Sequence, residues 1–377
     1  MKLMIGADLA PTQSNLELFS RGDGEALFGK ALLSRWLDAD FRIFDLECPF
    51  VDQGTPIEKC GPAIFAPAAA MAGVAALEPS LVTLANNHIM DYGSEGLTST
   101  CSLLSQMGIP FVGVGRNCRE AEEPYYFEED GHRVVIYACA EREFSQAGED
   151  TPGANPFDPL EIADTLRAIK EDCDTLIVLY HGGPEEWPYP TPSLQKRLRK
   201  MILAGADAVF CQHGHCVGCM EEYEGGLILY GQGNLLFDVP DGKPCWDSGL
   251  VVELTLGEGP IKAEYLPIGR GEGGCRLLEG EEETAVLSGF FARSEEIKTP
   301  GVVEARTRER AKALSGQLGR ALLGNSVLLR GLNVLTGRKP LERFYDRAAR
   351  LRLFNFFACE TLRELYTTAL SMGEEEM

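Results

Sequence analysis

Five histidines occur in the 377-residue chain, and four of them, His88, His181, His213 and His215, stand at or just beyond the C-terminal ends of apolar, strand-like runs. Imidazole is the commonest side-chain metal ligand and the usual proton carrier near neutral pH. Asp8 and Glu47 share this placement, closing KLMIGAD and FRIFDLE. Open α/β sheets collect ligands at the carboxyl ends of their strands, so these groups, at the ends of runs in one sheet, are expected to converge on one rim. A lone Asp at a strand end is ordinarily a turn or helix-cap residue. It is the coincidence that points to a site. The fifth histidine, His132, opens a strand after a Glu-Glu-Asp-Gly turn and reads as a surface residue.

Carboxylates, imidazoles and the carboxamide of Asn87, without an obligatory thiolate, suit one or two divalent ions of Mn, Fe or Zn rather than a structural cysteine-type zinc site. His213-Gly214-His215 on a sharp turn can direct two imidazoles to different metals. A carboxylate bridging two ions roughly 3.5–4 Å apart is the geometry used for in-line displacement at phosphorus. Cys216 and Cys219 follow at once, but with neither a second pair nor a thioredoxin-like βαβ context they read as reduced thiols.

The elements that would position these groups alternate. KLMIGAD, FRIFDLE, SLVTLAN, RVVIYAC, TLIVLYH and AVFCQH read as strands, and ALFGKALLSRWL, PAAAMAGVAAL, GLTSTCSLLSQMG, PLEIADTLRAIKE and TPSLQKRLRKMILAGA as helices between them. That is an α/β pattern feeding a largely parallel sheet. In the last helix Leu194, Leu198, Met201 and Ile202 form one buried stripe, and Gly205 stops it. After Gly214 the pattern becomes antiparallel strands, MEEYE, GLILYG, LVVELTL and IKAEYLPI. Beyond Glu279 the chain is Arg-rich and helical, with Phe354, Ala358, Thr361 and Leu365 spaced along one face.

Of the 35 Lys+Arg and 57 Asp+Glu, residues 276–377 hold 16 and 15, so residues 1–275 hold 19 and 42. The shift predicts a boundary near Gly271–Gly274, with a catalytic domain over 1–274 and a helical extension over 275–377. A formal charge of -22 argues against nucleic acid as a partner, since phosphate binding needs Lys and Arg. Twelve cysteines in a chain of this length are too sparse for a disulfide scaffold. No apolar run approaches the roughly 18–20 residues of a membrane span. A cytoplasmic protein without direct membrane insertion is expected, and no segment specifies an oligomeric state.

FDLECPF, TPIEKCGPAIFAP, LVTLANNHIMDYGSEGL and the stretch from LYHGGPEEWPYP through QHGHCVGC to GQGNLLFD occur in this order. Together they resemble the CapA/PgsA-type poly-γ-glutamate capsule synthesis family, which is related to the calcineurin-like metallophosphoesterases. The resemblance implies a metallophosphatase-like four-layer αββα sandwich of two mixed sheets, with the helical extension C-terminal to it. It assigns Asp8 and His215 to a first metal, Glu47 as a bridge, and Asn87, His181 and His213 to a second. His88 matches the histidine that protonates the leaving group. Asp91 would orient it, or would cap the helix beginning near Ser94. The chain departs from the superfamily at three places: Asp8-Leu9-Ala10 stands where Asp-x-His is usual, Glu47 where the bridge is normally Asp, and Asp45 where the family usually has Asn. One ligand of the first metal is therefore missing.

Outside the ligand set, Lys59 is a candidate anchor for an anionic substrate, the alternative being a solvated loop charge. Asn234 in GQGNLLFD could line the substrate site or cap a turn, and Trp187 could wall a cleft or pack in the core. These residues predict a metal-dependent hydrolase in which an activated water attacks a phosphoester or related anionic small molecule or polymer. A non-catalytic accessory in poly-γ-glutamate capsule biosynthesis and a metal-dependent glutamyl amide hydrolase remain open beside it.

Overall fold

The structure, a computed structural model, describes residues 1–237, 243–257, 259–321, 331, 335, 347–359, 361–363 and 365. In chain order the first elements are β1 (Lys2–Ala10), α1 (Leu16–Arg21), α2 (Gly24–Leu37), β2 (Phe41–Leu46), α3 (Met71–Ala76), β3 (Leu81–Thr83), α4 (Gly93–Gln106), β4 (Phe111–Val112), β5 (Val114–Gly115) and α5 (Cys118–Ala121). The middle of the chain forms β6 (Tyr125–Glu129), β7 (His132–Ala140), β8 (Gly153–Ala154), α6 (Ile162–Lys170), β9 (Thr175–His181), α7 (Pro192–Leu203), β10 (Ala208–Gln212), β11 (Met220–Tyr223), β12 (Gly226–Leu229) and β13 (Asn234–Phe237). Then follow β14 (Ser248–Thr255), β15 (Lys262–Arg270), β16 (Cys275–Leu277), α8 (Glu281–Glu296), α9 (Val302–Ala321) and α10 (Arg347–Ala358).

Apart from β5 and β8, which pair with each other, the described strands build two mixed sheets rather than one largely parallel one. The first runs β16-β15-β14-β1-β2-β3-β4, with β13 also pairing β1; the second runs β11-β12-β10-β9-β7-β6. The expected antiparallel strands are shared between them: β11 pairs antiparallel with β12 in the second sheet, and β14 with β15 in the first. The near-continuous apolar runs of β1, β7 and β9 reflect strands covered on both faces.

Three cores separate four layers. Leu3, Ile5 and Ile43 of the first sheet meet Val134, Ile136 and Ile177 of the second in the central core. On the outer face of the first sheet Phe19, Phe28, Trp36 and Val74, from α1 to α3, pack on Met4, Phe44 and Val82. On the outer face of the second, Leu166 and Ile169 of α6 and the α7 stripe Leu194, Leu198, Met201 and Ile202 pack on Val135, Val178 and Val209. Local residues bound α7 tightly: the Thr191 side chain accepts from Leu194 N–H, Pro192 opens the first turn, and Gly205 follows the end at φ 115°. The four-layer αββα sandwich is thus present.

The chain divides into two compact units, Met1–Thr307 and Arg308–Met377. The first continues past the boundary expected at 274/275, because β16 extends the first sheet and α8 packs on the sandwich through Phe290. Arg293 on α8 donates to the carbonyls of Gly218 and Val217, and Ser294 Oγ accepts from Met220 N–H. The charge shift therefore marks a change of surface, with the end of the first unit lying further on. The second unit is helical in its described parts. Among the described residues no helix is long and apolar enough to cross a membrane.

Candidate metal centre

Strand ends from both sheets supply the predicted ligands. Asp8 lies on β1, Glu47 follows β2, Asn87 follows β3, His181 ends β9, and His213 and His215 follow β10. The rim expected of one sheet is the meeting line of two. Asp8 and Glu47 are fully buried, and Asn87, His181, His213 and His215 are each at most 6% exposed.

The turn after β10 is strained in a way that serves the site. His213 and His215 both have left-handed backbones, φ 84° and 48°. Such conformations are costly for non-glycine residues and persist where surrounding contacts impose them. Here His213 N–H donates to Asp8 Oδ2 at 3.0 Å, tying the second sheet to the first.

Two groups of potential ligands share Glu47: Glu47, His181 and His213, and Asp8, Glu47 and His215, with the ligand atoms of each group within 4.8 Å of one another. His181 Nε2 stands 3.5 Å from Glu47 Oε1, 3.1 Å from Asn87 Oδ1 and 3.2 Å from His213 Nδ1. On the other side His215 Nδ1 is 3.5 Å from Asp8 Oδ2. Both oxygens of Glu47 and Oδ1 of Asp8 are buried without a hydrogen-bond donor. Leaving buried carboxylate oxygens unpaired costs several kcal/mol unless a cation meets them. The donor set, the shared carboxylate and these orphaned oxygens fit divalent metal ions.

The electrostatics of the metal-free protein agree. Burial, reinforced by Glu47, pushes the Asp8 carboxyl well up, and burial also raises Asp45. Burial works against charge on His181, yet Asp45 and Glu47 beside it lift its pKa well above the usual histidine range. Burial likewise opposes charge on Glu47, but His215 and His181 hold it at about 2. Burial and the neighbouring His181 push His213 well down, and burial lowers His215. The imidazole of His181 is thus favoured in its charged form by the buried carboxyls around it, an environment that also suits a divalent cation.

Around the ligands stand partners that sequence reasoning did not select. Asp45 Oδ2 is 2.9 Å from His181 Nδ1, and Asn86 Nδ2 donates to Asp45 Oδ1 at 2.9 Å. The signal was available: two residues before Glu47, Asp45 shares its face of the strand. Glu143 and Glu185 each place an oxygen 3.7 Å from His213 Nε2, and Glu143 also accepts from Asn87 Nδ2. Glu141 accepts from Tyr180 OH and from Gly183 N–H, bracing the loop after His181. Glu141 and Glu143 follow β7, so the strand-end rule applied to RVVIYAC would have found both. Trp246 stacks on His215 with ring centroids 4.1 Å apart.

The remaining predicted residues fall into place or are corrected. His88 Nδ1 lies 2.7 Å from Asp91 Oδ2, and Asp91 does not cap α4, whose N-cap is Tyr92 with no side-chain bond. Lys59 is not a solvated loop charge. Its side chain is 4% exposed and ion-paired with Asp91, with Nζ 3.2 Å from His88 Nδ1. Asn234 does not cap a turn; it opens β13 beside Asp8. Trp187 packs with Tyr189 against the second sheet's outer core. Among the described residues neither Cys216 nor Cys219 forms a disulfide, and Cys219 is buried. His132, half-buried at the start of β7, pairs with Thr175, as a structural residue would.

Comparison with known proteins gives the family. The model described as "Bacterial capsule synthesis protein PGA_cap" matches residues 3–239. "Capsule biosynthesis protein CapA" of Bacillus anthracis is 26% identical over 200 residues, 52% of this chain and 48% of that protein. "PGA biosynthesis protein CapA" of Bacillus subtilis (strain 168) is 29% identical over 193 residues, 50% of each. The chain thus spans about half the length of the curated relatives it matches. Among solved structures, a hypothetical protein from Thermus thermophilus aligns with a TM-score of 0.44 at 14% identity, covering 72% of this chain and all of that one.

Proposed function

Since the chain belongs to the bacterial capsule synthesis protein family PGA_cap, we propose that it is a metal-dependent hydrolase of phosphoester or related anionic substrates in capsule polyglutamate metabolism. The observation that carries this reading is Glu47: a fully buried carboxylate, held ionised, whose two oxygens lack donors while two histidine-bearing groups converge on it.

Asp8 and His215 on one side, and Asn87, His181 and His213 on the other, would hold one or two divalent ions with Glu47 between them. When bound, such ions supply Lewis acidity and bring the pKa of a coordinated water to near neutrality. The chain's own residues do the rest. Asp45 orients His181 through Nδ1, leaving Nε2 to face Glu47. Asp91 fixes Nδ1 of His88 as a donor, which leaves Nε2 as the atom that carries a proton to a departing oxygen. Lys59 offsets the charge of Asp91 and holds it in place.

A glutamyl amide is the second reading of the substrate. Glu143 and Glu185, with side chains 38% and 55% exposed, flank His213 and repel a phosphate dianion more than a neutral amide bond. Both are tested together. Purified protein is assayed for Mn, Fe and Zn by elemental mass spectrometry and then offered phosphomonoesters, phosphodiesters and γ-glutamyl peptides. Turnover of one class that disappears in His213→Ala and His88→Ala sustains the hydrolase reading and identifies the bond. Bound metal with no turnover on any panel member would favour a non-catalytic accessory.

A further inference from the structure

The first half of the centre lacks the histidine usual two residues after Asp8. Position 10 is a buried alanine pairing with Phe237, so no imidazole reaches the site from β1. We propose that Asn234 takes that place, its side-chain oxygen serving as a ligand of the first metal; the inference rests on the metal-centre reading above.

Strand pairing puts it there. β13 runs parallel to β1 with Asp8 and Asn234 as direct partners, and the register slips just after Asp8. Asn234 is 5% exposed, as buried as Asn87, His213 and His215. Its Oδ1 lies 2.8 Å from His215 Nδ1, which is 3.5 Å from Asp8 Oδ2. Its Nδ2 points to the Phe237 carbonyl at 3.4 Å, so the amide oxygen is the atom turned to the site. Asp8 Oδ1 has no hydrogen-bond donor. Ligand atoms bound at about 2.0–2.2 Å lie roughly 3.0–3.5 Å apart around an octahedral or tetrahedral ion. The spacing of the three groups falls close to that range.

Two further features fit. Trp246 stacked on His215 and the Phe237 ring 5.3 Å from it hold the imidazole against rotation, so Nδ1 stays directed at Asn234 and Asp8. The assignment also balances the centre: Asn234, His215 and Asp8 oppose Asn87, His181 and His213 across Glu47. In the metal-free protein the 2.8 Å contact is a hydrogen bond. A cation held by both atoms would take the Nδ1 lone pair, the single proton of the neutral imidazole then standing on Nε2. A carboxamide oxygen in place of an imidazole makes the first position harder, favouring Mn over Zn there.

The test is a Mn titration of the metal-stripped protein, read by electron paramagnetic resonance of free Mn and by bound Mn per chain, for the parent, Asn234→Ala, Asn234→Asp and His213→Ala. Asn234→Ala is expected to weaken one class of site by roughly 10–100-fold, sparing the class lost in His213→Ala. Asn234→Asp, with the same shape and a full charge, is expected to bind that class at least as tightly as the parent, and it carries the test if the alanine variant does not fold. Parent affinity for both classes in Asn234→Ala, or loss of the class in Asn234→Asp, overturns the assignment while leaving the centre standing. No Mn bound by the parent overturns the centre and this ligand with it.

Discussion

The half of the centre around His181 and the half around Asp8 are supported differently. His181 has Asp45 behind Nδ1, His213 has Glu143 and Glu185 near Nε2, and Asn87 is held by Glu143. Carboxylates of this kind fix ligand orientation and raise basicity. Around Asp8 the support is a backbone N–H from His213 and, for His215, aromatic packing by Trp246 and Phe237. One half is braced by charge, the other by shape. On the two-ion reading proposed above, the His181 half is expected to bind the more tightly.

Removing what both halves share should have the largest effect. Glu47→Gln keeps the side-chain shape and removes the bridging charge; metal content is expected to fall in both halves, and hydrolysis by about a thousandfold or more, on the scale of lost metal activation of water. Elemental mass spectrometry of the variant checks it. Retention of both metals at parent affinity would dissolve the two halves as a unit.

The next effect leaves the metals alone. His88→Ala is expected to slow esters with poor alkoxide leaving groups by roughly 10²–10⁴-fold, the usual worth of a general acid. Nitrophenyl esters, whose leaving group needs no proton, should lose far less. An equal loss on both ester types, with metal content unchanged, would remove His88 from the proton-donor role.

How much of this was legible in the sequence differs between the halves too. Strand-end placement selected the carboxylates and histidines because runs such as KLMIGAD and TLIVLYH are apolar on both faces, a pattern readable without partners. It could not tell that Asp8 and His181 belong to different sheets, since sheet membership is set by long-range pairing. The sequence offers Asn234 as a site-lining residue but not its place beside Asp8, 226 residues earlier, which only strand pairing sets. The burial of Lys59 is not legible locally, because a loop folding over Asp91 leaves no periodicity in the sequence. The charge shift near Gly271 was real but described surface, while the first unit ends only after α8 has packed through Phe290.

Neutralising the brace tests the difference between the halves. Asp45→Asn, the residue usual in the family, retains an acceptor for His181 but removes the charge. It is expected to weaken metal binding in the His181 half by about 10–100-fold and leave the Asp8 half close to parent. The pH dependence sharpens this. Asp45 and Glu47 raise His181 well above its usual range, so a proton competes with a metal there more strongly than on an ordinary histidine. Affinity should therefore fall as pH falls, by about tenfold per unit for one proton released. In Asp45→Asn the slope should flatten at the same pH, measured as protons released per metal by titration in two buffers. An unchanged slope would mean Asp45 does not set the state of His181.

The smallest effect concerns the arm beyond the metals. Lys59 meets Asp91, which also accepts from Ile64 N–H and faces His88 Nδ1. Three contacts on one buried carboxylate define where His88 can point, and Lys59 supplies the charge that offsets it. Lys59→Met fills the same volume without the charge. With Asp91 then less firmly held, His88 should spend less time in the transferring orientation, lowering kcat on alkyl esters by about tenfold, within the range general acids contribute. KM should stay near parent, because the ammonium group is buried away from the mouth. A substrate anchor would behave oppositely, raising KM with kcat preserved, since that is the loss of uniform binding. The same variant should not change Mn affinity in either half, because Lys59 reaches the centre only through Asp91 and His88.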